Sequence, residues 1–134
     1  VAVLILIGIL AAVAIARVSD NDADERAAAD KLKVHLRYAQ MRAMNHADVW
    51  GVKATGGSYS LFRIESGAPV PEKFMGEEEN VSFPSGISAS FTVSFDEWGR
   101  PYGIENPTED DDTTSITIDI GSGITITQET GFIQ

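Results

Sequence analysis

The first sixteen residues, Val1 to Ala16, read VAVLILIGILAAVAIA, and Arg17 ends this uncharged, apolar run. A helix that is apolar on every face does not stand alone in water, so the segment points to lipid or to the core of an assembly. At 1.5 Å per residue it reaches roughly 24 Å, short of the ~30 Å hydrocarbon core of a bilayer. Three readings compete: a secretory signal peptide, a plain membrane anchor, and a helix that passes from membrane to protein assembly. No basic n-region precedes the run, and it flows without turn residues into a helix-compatible stretch, Val18 to Ala47, which disfavours the signal peptide. Gly8, Ala12 and Ala16 recur at every fourth position, a spacing that lets helix backbones approach closely.

From Ser19 the chain turns polar, with Asp20, Asn21, Asp22, Asp24 and Glu25 in succession. This is either a helix break with a new N-cap or the solvated exit of one helix, since acids suit a helix start. Beyond it, Ala28, Leu32, Leu36, Ala39, Ala43 and Ala47 fall three and four apart, the stripe of an amphipathic helix. The stripe is narrow and small, suited to close packing on a sheet. After Asp48 the period changes to two. Val49–Ala54 and Ser58–Ile64 read as strands joined at Thr55-Gly56-Gly57. Ser66 to Gly86, broken by Pro69, Pro71 and Pro84, reads as loop with one short strand near Val81–Phe83. Ile87–Phe95 alternates, with Phe91, Val93 and Phe95 on one face. Thr114–Ile120 and Ile124–Thr127 flank a Gly121-Ser122-Gly123 turn. Short turns between strands imply an antiparallel sheet with one face covered, the helix stripe being its natural cover.

The apolar run, and GILAAVAIA (Gly8 to Ala16) in particular, resembles the N-terminal helix of type IV pilins and type II secretion pseudopilins. LRYAQMRAMNHADVWGV (Leu36 to Val52) resembles the helix end and first strand of the pseudopilin H and FimT group. VSFDEWGRPYG (Val93 to Gly103) and TTSITIDIGSGITITQETGFIQ (Thr113 to Gln134) resemble that family's later strand and closing hairpin. The resemblance implies a short segment before Val1 with a glutamate and a methylated N-terminus. The chain departs from the family pattern at Ala16, where many pilins have a proline. With no cysteine, it also lacks the disulfide that closes the C-terminal loop of many pilins.

Charge agrees with an exported head. The net charge is −10, and it is unevenly placed. Residues 1–48 carry six Lys/Arg and six Asp/Glu, residues 49–134 four and fourteen. An acidic head repels phosphate backbones, which disfavours nucleic acid as a partner. His35 and His46, eleven residues apart, cannot form a close metal pair by helical spacing and read as surface groups. Asp96 and Glu97 beside Trp98-Gly99 read as a turn after a strand. No G-x-S-x-G elbow or phosphate-binding loop is present. Glu109-Asp110-Asp111-Asp112 is the one candidate ion site. Some major pseudopilins hold calcium near the C-terminus, which makes Asp110 and Asp112 candidate ligands, but the EF-hand spacing is absent and an acidic run usually forms a solvated loop.

The reading that follows is an α+β fold, pilin-like, in which a long hydrophobic-to-amphipathic N-terminal helix packs on a small antiparallel sheet. Residues 1–17 form the membrane and filament-core segment, 18–48 the amphipathic half and 49–134 the β-rich head. The function expected is that of a structural, non-enzymatic subunit of a type IV pilus-like filament or secretion pseudopilus, without a cofactor. Gly8, Ala12 and Ala16 pack helices together in the filament. The resemblance implies as partners further copies of the chain, sibling pilins, the prepilin peptidase and an inner-membrane platform with its assembly ATPase. It places the protein in the bacterial inner membrane as a single pass with the head outside the cytoplasm, and then in a periplasmic or cell-surface filament. Arg17, Arg26, Lys31 and Lys33, just after the span, would by themselves put that side in the cytoplasm. A membrane-tethered extracytoplasmic binding module is the alternative.

Overall fold

The computed structural model describes residues 2–134, and for residues 13–21 it describes the backbone only. Helix α1 (Ala2–His46) is followed by strands β1 (Trp50–Gly56), β2 (Ser58–Glu65), β3 (Ala68–Glu72), β4 (Asn80–Ser82), β5 (Ala89–Phe95), β6 (Pro101–Tyr102), β7 (Ile116–Ile118) and β8 (Ile124–Ile126). The bounds of α1 take in the polar stretch from Ser19 to Glu25. The main sheet runs β3-β2-β1-β5-β6, with β4 also on β2, and β7 pairs with β8 in a separate ribbon. All of these pairings are antiparallel.

The expected β1–β2 hairpin forms at Gly56-Gly57, where Thr55 faces Ser58 and Gly56 takes a φ of 68°. Strand β1 is central, and the register sets Val52 between Leu61 and Val93, and Trp50 opposite Phe95. These side chains, with Ala54 and Tyr59, share the face on which α1 lies. Ala28, Leu32, Leu36, Ala39 and Ala43 are buried there as the periodicity predicts, joined by Ala29. Ala47, expected as the last member of the stripe, is exposed and lies past the helix end with a φ of 55°. Phe91 is half-buried against the same core.

Within Ser66–Gly86 the short strand expected near Val81–Phe83 is β4, and β3, which the sequence does not predict, adds a second strand on β2. In β3, Pro69 faces Ile64 and Pro71 faces Phe62. Proline donates no ladder hydrogen bond but is tolerated on an edge strand, and β3 is an edge. Between β3 and β4 the chain leaves the sheet, and Phe74 turns into the core. The second sheet face is not bare either. Phe62 is buried there, and its ring lies across Gly51, where a Cβ would run into the ring and into the Val93 carbonyl. Buried Ser94 donates its hydroxyl to the Ile104 carbonyl at 2.6 Å, so the Gly103–Pro107 segment lies over this face.

The expected fold class, a long hydrophobic-to-amphipathic helix in the pilin manner, is corrected. Among the described residues no helix is long and apolar enough to cross a membrane. What stands is a small α+β protein with an N-terminal helix over an antiparallel sheet. The single-pass inner-membrane location is corrected on the same ground. The expected division between residues 17 and 18 falls where only the backbone is described.

Leu36 is fully buried, and truncating such a leucine removes both transfer energy and packing. Leu36→Ala should therefore lower the unfolding free energy by about 2–5 kcal/mol, measured by urea denaturation of the whole chain in mild detergent. An unchanged midpoint would mean that the stripe does not carry the core.

Candidate functional site

The first third of α1 presents the least ordinary surface of the molecule. Val3, Leu4, Ile5, Leu6, Ile7, Ile9 and Leu10 are all exposed, from 57% to 73%. Gly8 and Ala12 lie among them, also exposed, and nothing approaches within 4 Å of where a Gly8 Cβ would stand. Glycine inside a helix costs about 1 kcal/mol relative to alanine, and no contact within this chain requires it here. The side chain of Ala16 lies outside the described residues. Singly exposed aliphatic residues are ordinary, but a continuous set around a helix marks a surface that is covered in use.

The acidic loop is arranged differently from a metal site. Asp111 accepts hydrogen bonds from the Thr108 backbone N–H at 2.6 Å and its hydroxyl at 2.9 Å, and these hold its carboxyl below the usual range. The acid that organises this turn is thus Asp111. Asp110 and Asp112, the candidate calcium ligands, are exposed and are not brought together with a third ligand. Among the described residues no group of three or more His, Cys, Asp or Glu side chains could hold a metal ion. Asp112 and Asp111 do line an open groove of about 460 Å³ with Asp96, Glu97, Trp98 and Glu129. Asp96 is committed to the β5–β6 turn. Its Oδ1 accepts the N–H groups of Trp98 and Arg100 at 3.0 and 2.9 Å, and its Oδ2 accepts Arg100 Nε and the Tyr102 hydroxyl at 2.7 and 3.0 Å.

Three polar side chains of α1 tie the helix to the C-terminal part of the chain. Gln40 Nε2 donates to the carbonyls of Gly99 and Gly131, both at 2.9 Å. Arg37 Nη2 donates to the Ile133 carbonyl at 3.0 Å, and Glu25 Oε1 accepts the Gly121 N–H at 3.0 Å. Gly131, at a φ of 64°, comes so near Gly99 and Gln40 that a side chain there would collide with both. The periodicity of α1 gave no sign of these ties, because their partners are backbone groups far along the chain.

His35 corrects the expectation of two surface histidines. It is buried, with its ring stacked on Phe74 at 4.0 Å between centroids. The Tyr59 hydroxyl, whose proton burial makes harder to lose, shares a hydrogen bond with His35 Nδ1 at 2.8 Å. Burial holds the His35 pKa below its ordinary 6.5, opposed in part by the nearby Glu77 carboxylate and helped by Lys31. Lys31 and Glu77 pair at 2.7 Å over the same spot, and the Lys31 ammonium holds the Glu77 carboxyl below its usual range. His46 is exposed, as expected.

Compared with protein-family models, with curated proteins and with solved structures, the chain matches none.

Two expectations follow from this geometry. Because the folded state holds His35 neutral, its contribution to stability is full above pH 6.5 and declines as the pH falls below that value toward the lowered one. Between pH 7 and 5 the unfolding free energy of the parent should fall more than that of His35→Gln. Parallel curves from urea titrations would show that charging this ring costs the fold nothing. For the acidic loop, millimolar calcium should leave the thermal midpoint where a chelator leaves it, since only an ion that binds the native state raises it. A rise that disappears on changing Asp110 and Asp112 to asparagine would make them ligands after all.

Proposed function

We propose that this chain is a structural subunit of a helical filament, of the kind that type IV pilins and secretion pseudopilins build. The observation that carries the reading is the helix surface from Val3 to Leu10, seven aliphatic side chains left exposed among the described residues. Withdrawing them from water is worth on the order of 10 kcal/mol before the costs of association. Copies of the same helix offer the matching apolar surface. Gly8 and Ala12 supply the small positions at which helix backbones come close. The head, anchored to the second part of α1, then forms the outer layer, and its acidic excess keeps neighbouring heads soluble. The sequence resemblance supports the same assignment through the apolar run and the order of the later strands. Sibling pilins, the prepilin peptidase and the assembly platform are the partners this function would require.

Gly8→Leu tests the proposal without disturbing the head, since the position is free of contacts within the chain. Filaments isolated from producing cells and labelled with antibody to the head should be lost in this variant, while the unfolding midpoint of the purified protein stays put. Labelled filaments of normal number and length would rule out the close packing proposed at Gly8.

A further inference from the structure

The C-terminal end of α1 and the adjoining ends of β1, β2 and β3 enclose a cleft of about 260 Å³ lined by Arg42, His46, Asp48, Trp50, Arg63 and Glu72. Two donors of these lining residues, Arg42 Nε and Trp50 Nε1, are buried and have no hydrogen-bond acceptor among the described residues. Trp50 is only 3% exposed, so its N–H has left water without gaining a protein partner. The two groups are neighbours, with Arg42 Cζ 4.8 Å from the Trp50 ring centroid. Buried polar groups are nearly always hydrogen-bonded, and a pair of orphaned donors in one cleft marks the place of an acceptor.

The charges narrow the acceptor's chemistry. Arg63 is already committed, its Nε to Glu72 at 3.0 Å and its Nη2 to Glu65 at 3.1 Å. Arg42 makes no ion pair among the described residues. Its Nε and adjacent Nη form a planar fork that matches the two oxygens of a carboxylate, a fit that an ammonium lacks. Asp48 and Glu72 share the cleft, so a singly charged oxyanion meets less repulsion than a dianion.

The geometry points to a carboxylate-binding site in this cleft, with Arg42 gripping the carboxylate through its guanidinium fork and Trp50 Nε1 donating a third hydrogen bond. The carboxylate arrives on a small molecule or on an acidic side chain of a second copy. An ordered water is the competing occupant.

The test uses the whole chain in mild detergent with ¹⁵N-labelled tryptophan and Trp98→Phe, which leaves the Trp50 indole N–H as the single indole resonance. Acetate, titrated at constant ionic strength against chloride, should move this resonance to saturation. Arg42→Gln should abolish the movement while the rest of the spectrum stays dispersed, and Arg42→Lys should weaken binding about tenfold. A shift that also grows with protein concentration and is competed away by acetate assigns the natural carboxylate to a second copy. A shift seen only with acetate assigns it to a small molecule. The inference is overturned if acetate does no more than chloride, which leaves water as the occupant. It is also overturned if Arg42→Gln responds as the parent does, or if phosphate at pH 7.5 binds more tightly than acetate.

Discussion

The closure of one narrow stripe of α1 on the central strands positions most of what is distinctive in this molecule. Ala28, Leu32, Leu36, Ala39 and Ala43 are small or unbranched at Cβ, so the helix lies close to β1 and β5 with Val52, Val93 and Phe95 beneath it. At that distance the short side chain of Gln40 reaches two carbonyls, and Arg37 and Glu25 reach the C-terminal ribbon. Larger residues in the stripe would lift the helix and lengthen all of these bonds together. The hydrophobic contact is non-directional, and the hydrogen bonds at its margin give it a definite register.

The same helix shows what happens where such a surface has no cover. The stripe from Ala28 to Ala43 faces a sheet, whereas the apolar residues from Val3 to Leu10 are exposed among the described residues. Between the two lies a strongly charged stretch of sequence. In the proposed filament this arrangement would separate a folding interface from an assembly interface on one continuous element. It fits a filament subunit, in which the uncovered part is completed by other copies. Among the described residues no helix is long and apolar enough to cross a membrane.

Acidic residues in the head act mainly on their own loops. Asp96 ties four donors into the β5–β6 turn, and Asp111 closes a turn on Thr108. Thr113 gives its hydroxyl to Glu129 at 2.5 Å, joining the acidic loop to the last hairpin. Carboxylates already engaged by backbone and hydroxyl donors have little capacity left for a metal ion. At the Arg42 cleft, by contrast, two buried donors have no acceptor among the described residues.

The sequence by itself determined the elements whose patterns are local. The three-and-four spacing from Ala28 to Ala43, the paired glycines between β1 and β2, the alternation of Phe91, Val93 and Phe95, and the turn at Gly121 each follow from neighbours within a few residues. The uncovered apolar surface was legible for the same reason. Tertiary structure decided what depends on groups distant in the chain. Pro69 and Pro71 sit in a strand because β2 has a free edge to offer. His35 is buried because Phe74, from an irregular segment, stacks on it. Phe62 is buried on the far sheet face because Gly51 leaves room for its ring. Asp111, rather than Asp110 or Asp112, closes its turn, because hydrogen bonds from Thr108 select by backbone geometry among three chemically equal neighbours. Local periodicity fixes which side of an element is apolar. Only the folded chain decides which polar group on that side finds a partner and which, like the Trp50 indole, is left without one.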